Sequence, residues 1–190
     1  ADVCLGEAAP EYLFNPAVSE RVAEVMPDAR LIVLLRNPID RAYSHYHHSR
    51  RLDREPLSFE EALEAEPDRI DDELTRLATD PTYDEQTYEH YSYLARGRYL
   101  EQIQRWLEHF PRRQLLVVKS EDLFDRPDAV AERVFDFLGL PPHSLDIGRA
   151  YNTGGYRDEV DAGVRARLRD YFRPHNQALA EFLDEPIDWT

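Results

Sequence analysis

Four polar side chains follow a run of apolar residues at a spacing that suits phosphate binding. The run Leu31–Leu35 is typical of a buried strand, and we expect both of its faces to be covered. Arg36 lies at the exit of this strand, and Arg41, Ser44 and His48 follow at helical spacing on one face of the next element. A guanidinium and a hydroxyl that converge at the carboxyl end of a strand can hold a phosphate monoester.

Asn37 and Pro38 predict that a helix begins directly after this strand, because they supply an N-cap and a first-turn proline. Free N–H groups and the positive end of the helix dipole would then face the carboxyl edge of the sheet. The residue chemistry alone also allows a structural role. An arginine at a strand end often pairs with a carboxylate, and a helical serine often bonds its own backbone.

The segment from Leu34 to Tyr46, Leu-Leu-Arg-Asn-Pro-Ile-Asp-Arg-Ala-Tyr-Ser-His-Tyr, resembles a known nucleotide-binding motif. It is similar to the 3′-phosphate-binding motif of sulfotransferases that use 3′-phosphoadenosine 5′-phosphosulfate (PAPS), particularly carbohydrate-type and bacterial members. The resemblance implies an α/β fold of three layers, like the P-loop NTPases, with a central parallel sheet flanked by helices. It also implies that Arg36 and Ser44 bind the 3′-phosphate of PAPS, with Arg41 as a further contact.

A second motif contains the candidate catalytic group, Glu7. We expect residues 2–6 to form a short buried strand, so that Glu7 lies on the ligand side of the sheet. The segment Gly-Glu-Ala-x-Pro-x-Tyr-Leu resembles the part of carbohydrate-type sulfotransferases that carries the catalytic carboxylate, which implies that Glu7 is the general base. The residues alone favour a carboxylate that caps a nearby turn. Ala8 stands where some relatives have a lysine.

A glycine-containing loop near the carboxyl end supplies two weaker candidates, Gly155 and Arg157. Glycine lets backbone amides approach an anion closely, and Arg157 adds a charge. In proteins with the sulfotransferase motif, the loop at this position closes over the nucleotide. The alternative is an ordinary surface turn.

The remaining pattern predicts the scaffold. Apolar spacing indicates an amphipathic helix between the first two strands, over residues 17–26, which would make a parallel βαβ unit. Further helices are expected over residues 97–110, 128–138 and 164–172, with a buried strand over residues 115–118. The blocks Gly-x-Tyr, Trp-Leu-x-x-Phe-Pro and Phe-Leu-Gly-Leu-Pro also resemble the sulfotransferase pattern, so the resemblance extends over nearly the whole chain.

We expect a single domain over residues 1–190, with an acidic helical insert at about residues 55–95. Ser58 and Glu61 form a capping-box pattern, and Pro67 and Pro81 are expected to separate the helical pieces. The insert is most simply a solvated surface. The alternative is that its tyrosines line an acceptor cleft, since tyrosines stack on sugars and hydrogen-bond to them. These tyrosines are Tyr83, Tyr88, Tyr91 and Tyr93.

Charge restricts the partners. The net charge is −15, which argues against nucleic acid or an anionic membrane surface as a partner. Residues 36–54 are locally basic, so a small anion is still acceptable there. The single cysteine excludes an internal disulfide, and no apolar run is long enough to span a membrane. The histidines at 45, 47 and 48 would point in different directions on a helix, so they are not expected to bind one metal ion. The sequence does not identify the cellular compartment, and for a bacterial protein we expect the cytoplasm.

The proteins with this motif also have a phosphate-binding loop whose lysine grips the 5′-phosphosulfate. The only lysine here is Lys119, at a strand end, and it receives no catalytic role. We expect either that an amino-terminal segment is missing or that the form is inactive. Since the chain does not begin with Met, the first is favoured.

The predicted activity is sulfuryl transfer from PAPS, without a metal, to a hydroxyl or amine of a carbohydrate, lipid or small metabolite. A heavily sulfated polymer is disfavoured by the acidic charge. Two alternatives stay open: a kinase-like phosphotransferase, which needs a Gly-Lys-Ser/Thr loop, and a noncatalytic adenine-nucleotide-binding module.

Overall fold

The computed structural model of the chain describes residues 4–71, 73, 76, 79, 86–143 and 159–189. Two parallel strands and the helices around them make up these parts. In chain order they are α1 (Val18–Val25), β1 (Leu31–Leu35), α2 (Pro38–Arg51), α3 (Phe59–Ile70), α4 (Gln86–Tyr91), a 3-10 turn (Ala95–Gly97), α5 (Tyr99–His109), a second 3-10 turn (Arg112–Gln114), β2 (Leu115–Lys119), α6 (Ser120–Asp125), α7 (Pro127–Leu138) and α8 (Ala162–Leu183). None of these helices is long and apolar enough to cross a membrane.

The two strands pair in parallel, from Leu31 opposite Leu115 to Leu35 opposite Lys119. Their carboxyl ends therefore meet at one edge of the sheet. One face packs on α1, α5 and the end of α8 through a core that includes Leu35, Trp106 and Val117. Val118, which points to the opposite face of β2 from Val117, is buried outside that core, and α7 contacts β2. The helices thus flank a parallel sheet on both sides, as the α/β prediction requires.

The expectation that β1 is buried on both faces is wrong. Ile32 is 43% exposed and Leu34 is 54% exposed, whereas Leu35 is buried. Side chains alternate along a strand, and only the face that carries Leu31, Val33 and Leu35 contacts the core. The apolar run could not distinguish a strand covered on one face from a strand covered on two.

The predicted strand at residues 2–6 is also wrong for the part that the structure describes. Residues 4–9 have no regular structure, and Leu5 is 88% exposed. A strand needs a neighbour for its backbone hydrogen bonds, and the described sheet contains only β1 and β2. The parallel crossover that the structure does show runs from β1 to β2, rather than through α1.

A second core lies beneath α2. It joins α2 to α3 and α8 through residues that include Ile39, Ala62 and Phe172. Gly97 allows this close approach, because a Cβ there would lie 2.5 Å from Cε1 of Phe172 and 3.0 Å from Cβ of Pro38. The start of α2, which carries the candidate phosphate ligands, is therefore tightly packed from below.

The described residues of the predicted acidic insert include helices α3 and α4, and Pro67 does not interrupt α3. Helix α3 runs through Pro67 to Ile70. Its capping box is confirmed, with Ser58 and Glu61 bonding each other's backbone N–H. The helix accepts the proline because burial of Leu63 and Ile70 offsets the one hydrogen bond that proline cannot donate. Pro81 lies outside the described residues.

Candidate functional site

The junction between β1 and α2 has the predicted geometry. The side chain of Asn37 caps α2 by accepting a 2.9 Å hydrogen bond from the backbone N–H of Ile39, and Pro38 occupies the first turn. The fixed φ of proline and the capped turn hold the start of the helix in place. The positive end of the dipole of α2 thus lies where β1 ends, an arrangement that favours anions.

Arg36 stands at this junction with an exposed side chain. Within the described part of the chain, its guanidinium makes no ion pair or hydrogen bond. The local pairing with a carboxylate, the structural alternative for a strand-end arginine, is therefore not observed. Its main chain is held instead, since the hydroxyl of Tyr99 donates a 2.8 Å hydrogen bond to the carbonyl oxygen of Arg36.

Ser44 lies two turns into α2 and is half-buried. Its hydroxyl donates no hydrogen bond to a helix carbonyl or to any other group among the residues that the structure covers. By contrast, Ser49 on the same helix donates a 3.3 Å hydrogen bond to the carbonyl of His90. The described part of the protein therefore does not use the hydrogen-bonding capacity of the Ser44 hydroxyl.

Arg41 occupies a different environment from Arg36. Its guanidinium donates a hydrogen bond to the carbonyl oxygen of Tyr93, so it connects α2 to the turn that precedes α5. Burial is the main reason why the pKa of Arg41 is lowered, and the charges of Arg96 and Arg36 act in the same direction. Burial, with the charges of Arg41 and Arg96, also lowers the pKa of His45 to about 2. His45 is neutral at physiological pH, and the positive charge here belongs to the arginines.

Glu7 lies in the irregular segment before α1 and is exposed. The hydroxyl of Tyr12 donates a 2.6 Å hydrogen bond to its Oε1 atom. This hydrogen bond is the main reason why the pKa of Tyr12 is raised, followed by the negative charge of Glu7. No hydrogen bond or ion pair between described residues joins Glu7 to Arg36 or Ser44. The second oxygen of Glu7 has no protein donor within the described ranges.

Phe14 anchors the segment that carries Glu7. Its ring is buried and stacks on Tyr88 of α4, with centroids 4.3 Å apart and planes 6° apart. The guanidinium of Arg96 lies 5.0 Å from the centroid of the Phe14 ring, and Arg105 donates a 2.9 Å hydrogen bond to the carbonyl of Phe14. The acidic insert therefore supports the segment that contains the candidate base, a role that its composition did not suggest.

The three described tyrosines of the insert do not line an open cleft. Tyr88 and Tyr93 are buried, Tyr91 donates a 3.0 Å hydrogen bond to the carbonyl of Arg54, and Tyr83 lies outside the described residues. Tyr93 donates a 2.8 Å hydrogen bond to Oε2 of Glu55. The suggestion that these rings bind an acceptor is not supported by where the structure places them.

Glu55 is a buried carboxylate at the centre of this support. It accepts bonds of 2.6 and 3.2 Å from Arg69, a 3.1 Å bond from the backbone N–H of Leu57 and the bond from Tyr93. Burial alone would raise the pKa of Glu55, but these hydrogen bonds together outweigh it, and the net pKa is lowered. Glu55 therefore remains ionised and joins the insert to the loop after α2.

The other sequence candidates have simple outcomes. Gly155 and Arg157 lie outside the described residues. Lys119 donates a 3.2 Å hydrogen bond to the carbonyl of Pro186 and lies 3.6 Å from Asp122, so the protein itself engages this ammonium group. In the ranges that the structure describes, no three His, Cys, Asp or Glu side chains form a metal-binding group.

Two residues near Arg36 were missed by sequence reasoning. Tyr99 fits the apolar spacing of the helix predicted over residues 97–110, and Glu121 has no local pattern that marks it. Oε1 of Glu121 accepts a 2.9 Å hydrogen bond from the backbone N–H of Asn37. The Glu121 contact depends on the pairing of β1 with β2, and the Tyr99 contact depends on the packing of α5 against the sheet. No short window of sequence contains either relationship.

Comparison with known proteins identifies the family. A family model described as the sulfotransferase domain matches residues 18–153, a range that includes Arg36, Arg41 and Ser44 but not Glu7. The human bifunctional heparan sulfate N-deacetylase/N-sulfotransferase 3 is 30% identical over 205 residues, which cover 94% of this chain and 22% of that protein. Human heparan sulfate glucosamine 3-O-sulfotransferase 3B1 is 26% identical over 215 residues, which cover 96% of this chain and 49% of the relative.

A solved structure supports the same assignment. The sulfotransferase from Alicyclobacillus acidocaldarius matches with a TM-score of 0.73 and 30% sequence identity, covering 94% of this chain and 64% of that one. This likeness confirms the predicted P-loop-like α/β fold. The chain spans about a fifth of the length of the heparan sulfate N-deacetylase/N-sulfotransferases that it matches.

Proposed function

We propose that this chain, which belongs to the sulfotransferase domain family, transfers a sulfuryl group from PAPS to a hydroxyl or amine of an acceptor. The proposal rests on the observation that two polar side chains near the end of β1 have no described partner. Among the described residues, nothing pairs with the guanidinium of Arg36 at the end of β1, and nothing hydrogen-bonds to the hydroxyl of Ser44 on the next helix. A free guanidinium at a strand end and a free hydroxyl on the helix that follows suit a phosphate monoester.

In the proposed donor site, Arg36 and Ser44 contact the 3′-phosphate. Arg41 adds positive charge to the site. One of its N–H groups already donates to the carbonyl oxygen of Tyr93, and the others are proposed to contact the ligand. Gly155 and Arg157 are proposed to close over the nucleotide. Recognition of a 3′-phosphate would distinguish PAPS from adenine nucleotides that lack this group.

In the proposed reaction, Glu7 is the general base. The acceptor oxygen or nitrogen attacks the sulfur atom, its proton moves to Glu7, and the bond from sulfur to the bridging phosphate oxygen breaks. Adenosine 3′,5′-bisphosphate leaves with the electron pair of that bond. Tyr12 supports the assignment, because its hydrogen bond occupies Oε1 and leaves the second oxygen of Glu7 available for the proton.

The acceptor is proposed to be a carbohydrate, with a lipid or small metabolite as the alternatives. The relatives support the first choice, since two of them are named for the sulfation of heparan sulfate. The net charge of −15 favours an acceptor with less negative charge than a sulfated polymer, because the protein's own field would repel a polyanion.

Titration calorimetry on the full-length protein tests the donor site. Adenosine 3′,5′-bisphosphate should bind without magnesium and more tightly than ATP. Arg36→Ala and Ser44→Ala should each weaken that binding by about ten- to a hundredfold, the effect of losing a hydrogen bond to a charged group. Arg51→Ala is the matched control, because Arg51 is an exposed arginine of α2 that contacts only His48 among the described residues.

A preference for ATP would overturn the proposed donor and favour a phosphotransferase. Transfer of radiolabelled sulfate from PAPS to a panel of neutral and sulfated saccharides tests the reaction. Tight binding of the bisphosphate without any transfer by the full-length protein would point to a noncatalytic nucleotide-binding module instead.

A further inference from the structure

The peptide group that joins Arg36 to Asn37 is held at both of its polar atoms by side chains. Tyr99 donates to its carbonyl oxygen at 2.8 Å, and Glu121 accepts from its N–H at 2.9 Å. This peptide lies between the end of β1 and the first turn of α2. At such a junction the backbone has neither the hydrogen bonds of the sheet nor those of the helix. Two side chains thus replace the missing backbone partners of a single peptide plane.

The two side chains come from separate elements. Tyr99 begins α5, and its buried ring makes a T-shaped contact with Trp189, with centroids 5.7 Å apart. Glu121 lies just beyond β2, and the pairing of Leu35 with Lys119 brings it next to Asn37. The whole sheet edge therefore determines how this peptide is oriented.

The protonation state of Tyr99 suits the role of a permanent donor. Burial raises its pKa to about 12, although the charge of Arg41 and the bond to Arg36 act in the opposite direction. Glu121 places a carboxylate at the same edge as the proposed phosphate ligand, and its Oε2 atom is buried without a described hydrogen-bond partner. A negative group there opposes an anion electrostatically, so its value must lie in the bond that it accepts.

We infer that Tyr99 and Glu121 are positioning residues for the donor site, which orient the Arg36–Asn37 peptide and so aim the guanidinium of Arg36 at the 3′-phosphate. The inference rests on the proposed function. The direction in which an exposed arginine side chain leaves the backbone depends on the backbone angles at that residue. A peptide fixed at both polar atoms pre-sets these backbone angles, so less backbone entropy is lost when the guanidinium binds a phosphate.

Calorimetry with two ligands tests the inference on the full-length protein. The ligands are adenosine 3′,5′-bisphosphate and adenosine 5′-monophosphate, which differ only in the 3′-phosphate. The dissociation constant of the monophosphate divided by that of the bisphosphate measures the preference for the 3′-phosphate. This ratio should fall by about three- to tenfold in Tyr99→Phe and Glu121→Ala, while the affinity for the monophosphate is retained. Glu121→Gln keeps an oxygen acceptor for the N–H of Asn37 and removes the opposing charge, so it should retain or raise the ratio of the unmodified protein, and a fall would contradict the inference.

Tyr46→Phe is the matched control. The hydroxyl of Tyr46 also donates to a main-chain carbonyl, that of Leu57 at 3.0 Å, and Tyr46 belongs to the same helix α2. Its removal should lower the thermal unfolding temperature without changing the ligand ratio. In an Arg36→Ala background, Tyr99→Phe should have no further effect on the ratio, because the group that it aims is gone.

The outcomes separate the two claims. If the unmodified protein binds both ligands equally, the proposed 3′-phosphate site itself is wrong. If Arg36→Ala abolishes the preference for the bisphosphate but Tyr99→Phe and Glu121→Ala keep it, the positioning inference is overturned while the site stands. Equal weakening of both ligands in Tyr99→Phe, or a further loss in the Arg36→Ala background, would also overturn it.

Discussion

Phe14 stacks face to face on Tyr88, with centroids 4.3 Å apart, and this contact joins the segment of the candidate base to the acidic insert. Composition suggested that the insert was a solvated surface. Instead, its helix α4 supplies the ring against which the chain is fixed seven residues after Glu7. Stability and catalysis are therefore expected to be linked at this contact.

Replacement of Phe14 by alanine should reduce both stability and turnover. Phe14 is 4% exposed, and truncation of a buried phenylalanine costs about 3–5 kcal/mol. Because the ring anchors the segment that carries Glu7, kcat should fall at temperatures where the protein is still folded. Thermal unfolding and steady-state kinetics with PAPS measure the two effects.

Phe124→Ala is the control for that change, since Phe124 is 62% exposed and its removal should alter the free energy of unfolding by no more than about 0.5 kcal/mol. If Phe14→Ala lowers the unfolding temperature but leaves kcat unchanged in the folded protein, the stacked pair supports the fold without positioning the base.

Glu7→Gln should lower kcat by about a hundred- to ten-thousandfold, the range for a positioned general base, and leave the affinity for adenosine 3′,5′-bisphosphate unchanged. Tyr12→Phe should give a smaller fall in kcat, because it removes the donor that orients Oε1. Rapid-mix measurement of sulfate transfer to the acceptor reports both values.

Glu11→Gln provides the comparison for the base, because Glu11 is a neighbouring carboxylate in the same segment and the described side chains do not bond it. Its kcat should equal that of the unmodified protein. A Glu7→Gln enzyme with full turnover would show that another group accepts the proton.

Gly97→Ala should destabilise the protein by roughly 1–3 kcal/mol, the usual cost of overpacking. The added Cβ would lie 2.5 and 2.7 Å from the ring of Phe172, and only 3.0 Å from Pro38 at the start of α2. Denaturant titration measures the change. Gly6→Ala serves as its control, since no atom lies within 4 Å of a Cβ at that position, and equal effects of the two substitutions would contradict the packing described here.

Local sequence patterns predicted where the helices and strands lie better than they predicted which of their side chains are buried. Asn37 and Pro38 were recognised as a helix start because the cap and the proline act within one turn. The exposure of Ile32 and Leu34 was not predictable, because an apolar run records the residue types and not what packs on them. The apolar stretch at residues 4–6 failed as a strand for a related reason, since strand formation depends on a neighbour elsewhere in the chain.

The candidate site divides in the same way. Arg36, Arg41 and Ser44 lie close together in sequence, so their spacing and the family resemblance both identified them. Tyr99 and Glu121 reach the Arg36–Asn37 peptide across separations of 63 and 84 residues. Such contacts follow from strand pairing and helix packing, and a single sequence contains no local signal for them.

Glu55 should make stability depend on pH in a predictable direction. Its folded-state pKa is lowered, because the bonds from Arg69, Leu57 and Tyr93 outweigh the effect of burial. A carboxylate of this kind contributes its stability above the unfolded pKa of about 4.3, and the contribution is lost as the pH falls through the lower folded-state pKa. Glu55→Gln should cost roughly 3 kcal/mol at pH 7, since it leaves Arg69 without its buried partner.

The difference in unfolding free energy between the unmodified protein and Glu55→Gln should therefore shrink as the pH falls from about 5 toward 2, and urea titrations across that range measure it. Glu60→Gln is the matched control. Glu60 pairs with Arg167 on the surface, where both side chains are more than half exposed, and such pairs contribute about 0–1 kcal/mol at any pH. A Glu55→Gln deficit that stays constant from pH 7 to pH 2 would mean that the charge of Glu55 is not what stabilises the insert, and that the shape of the side chain alone accounts for its effect.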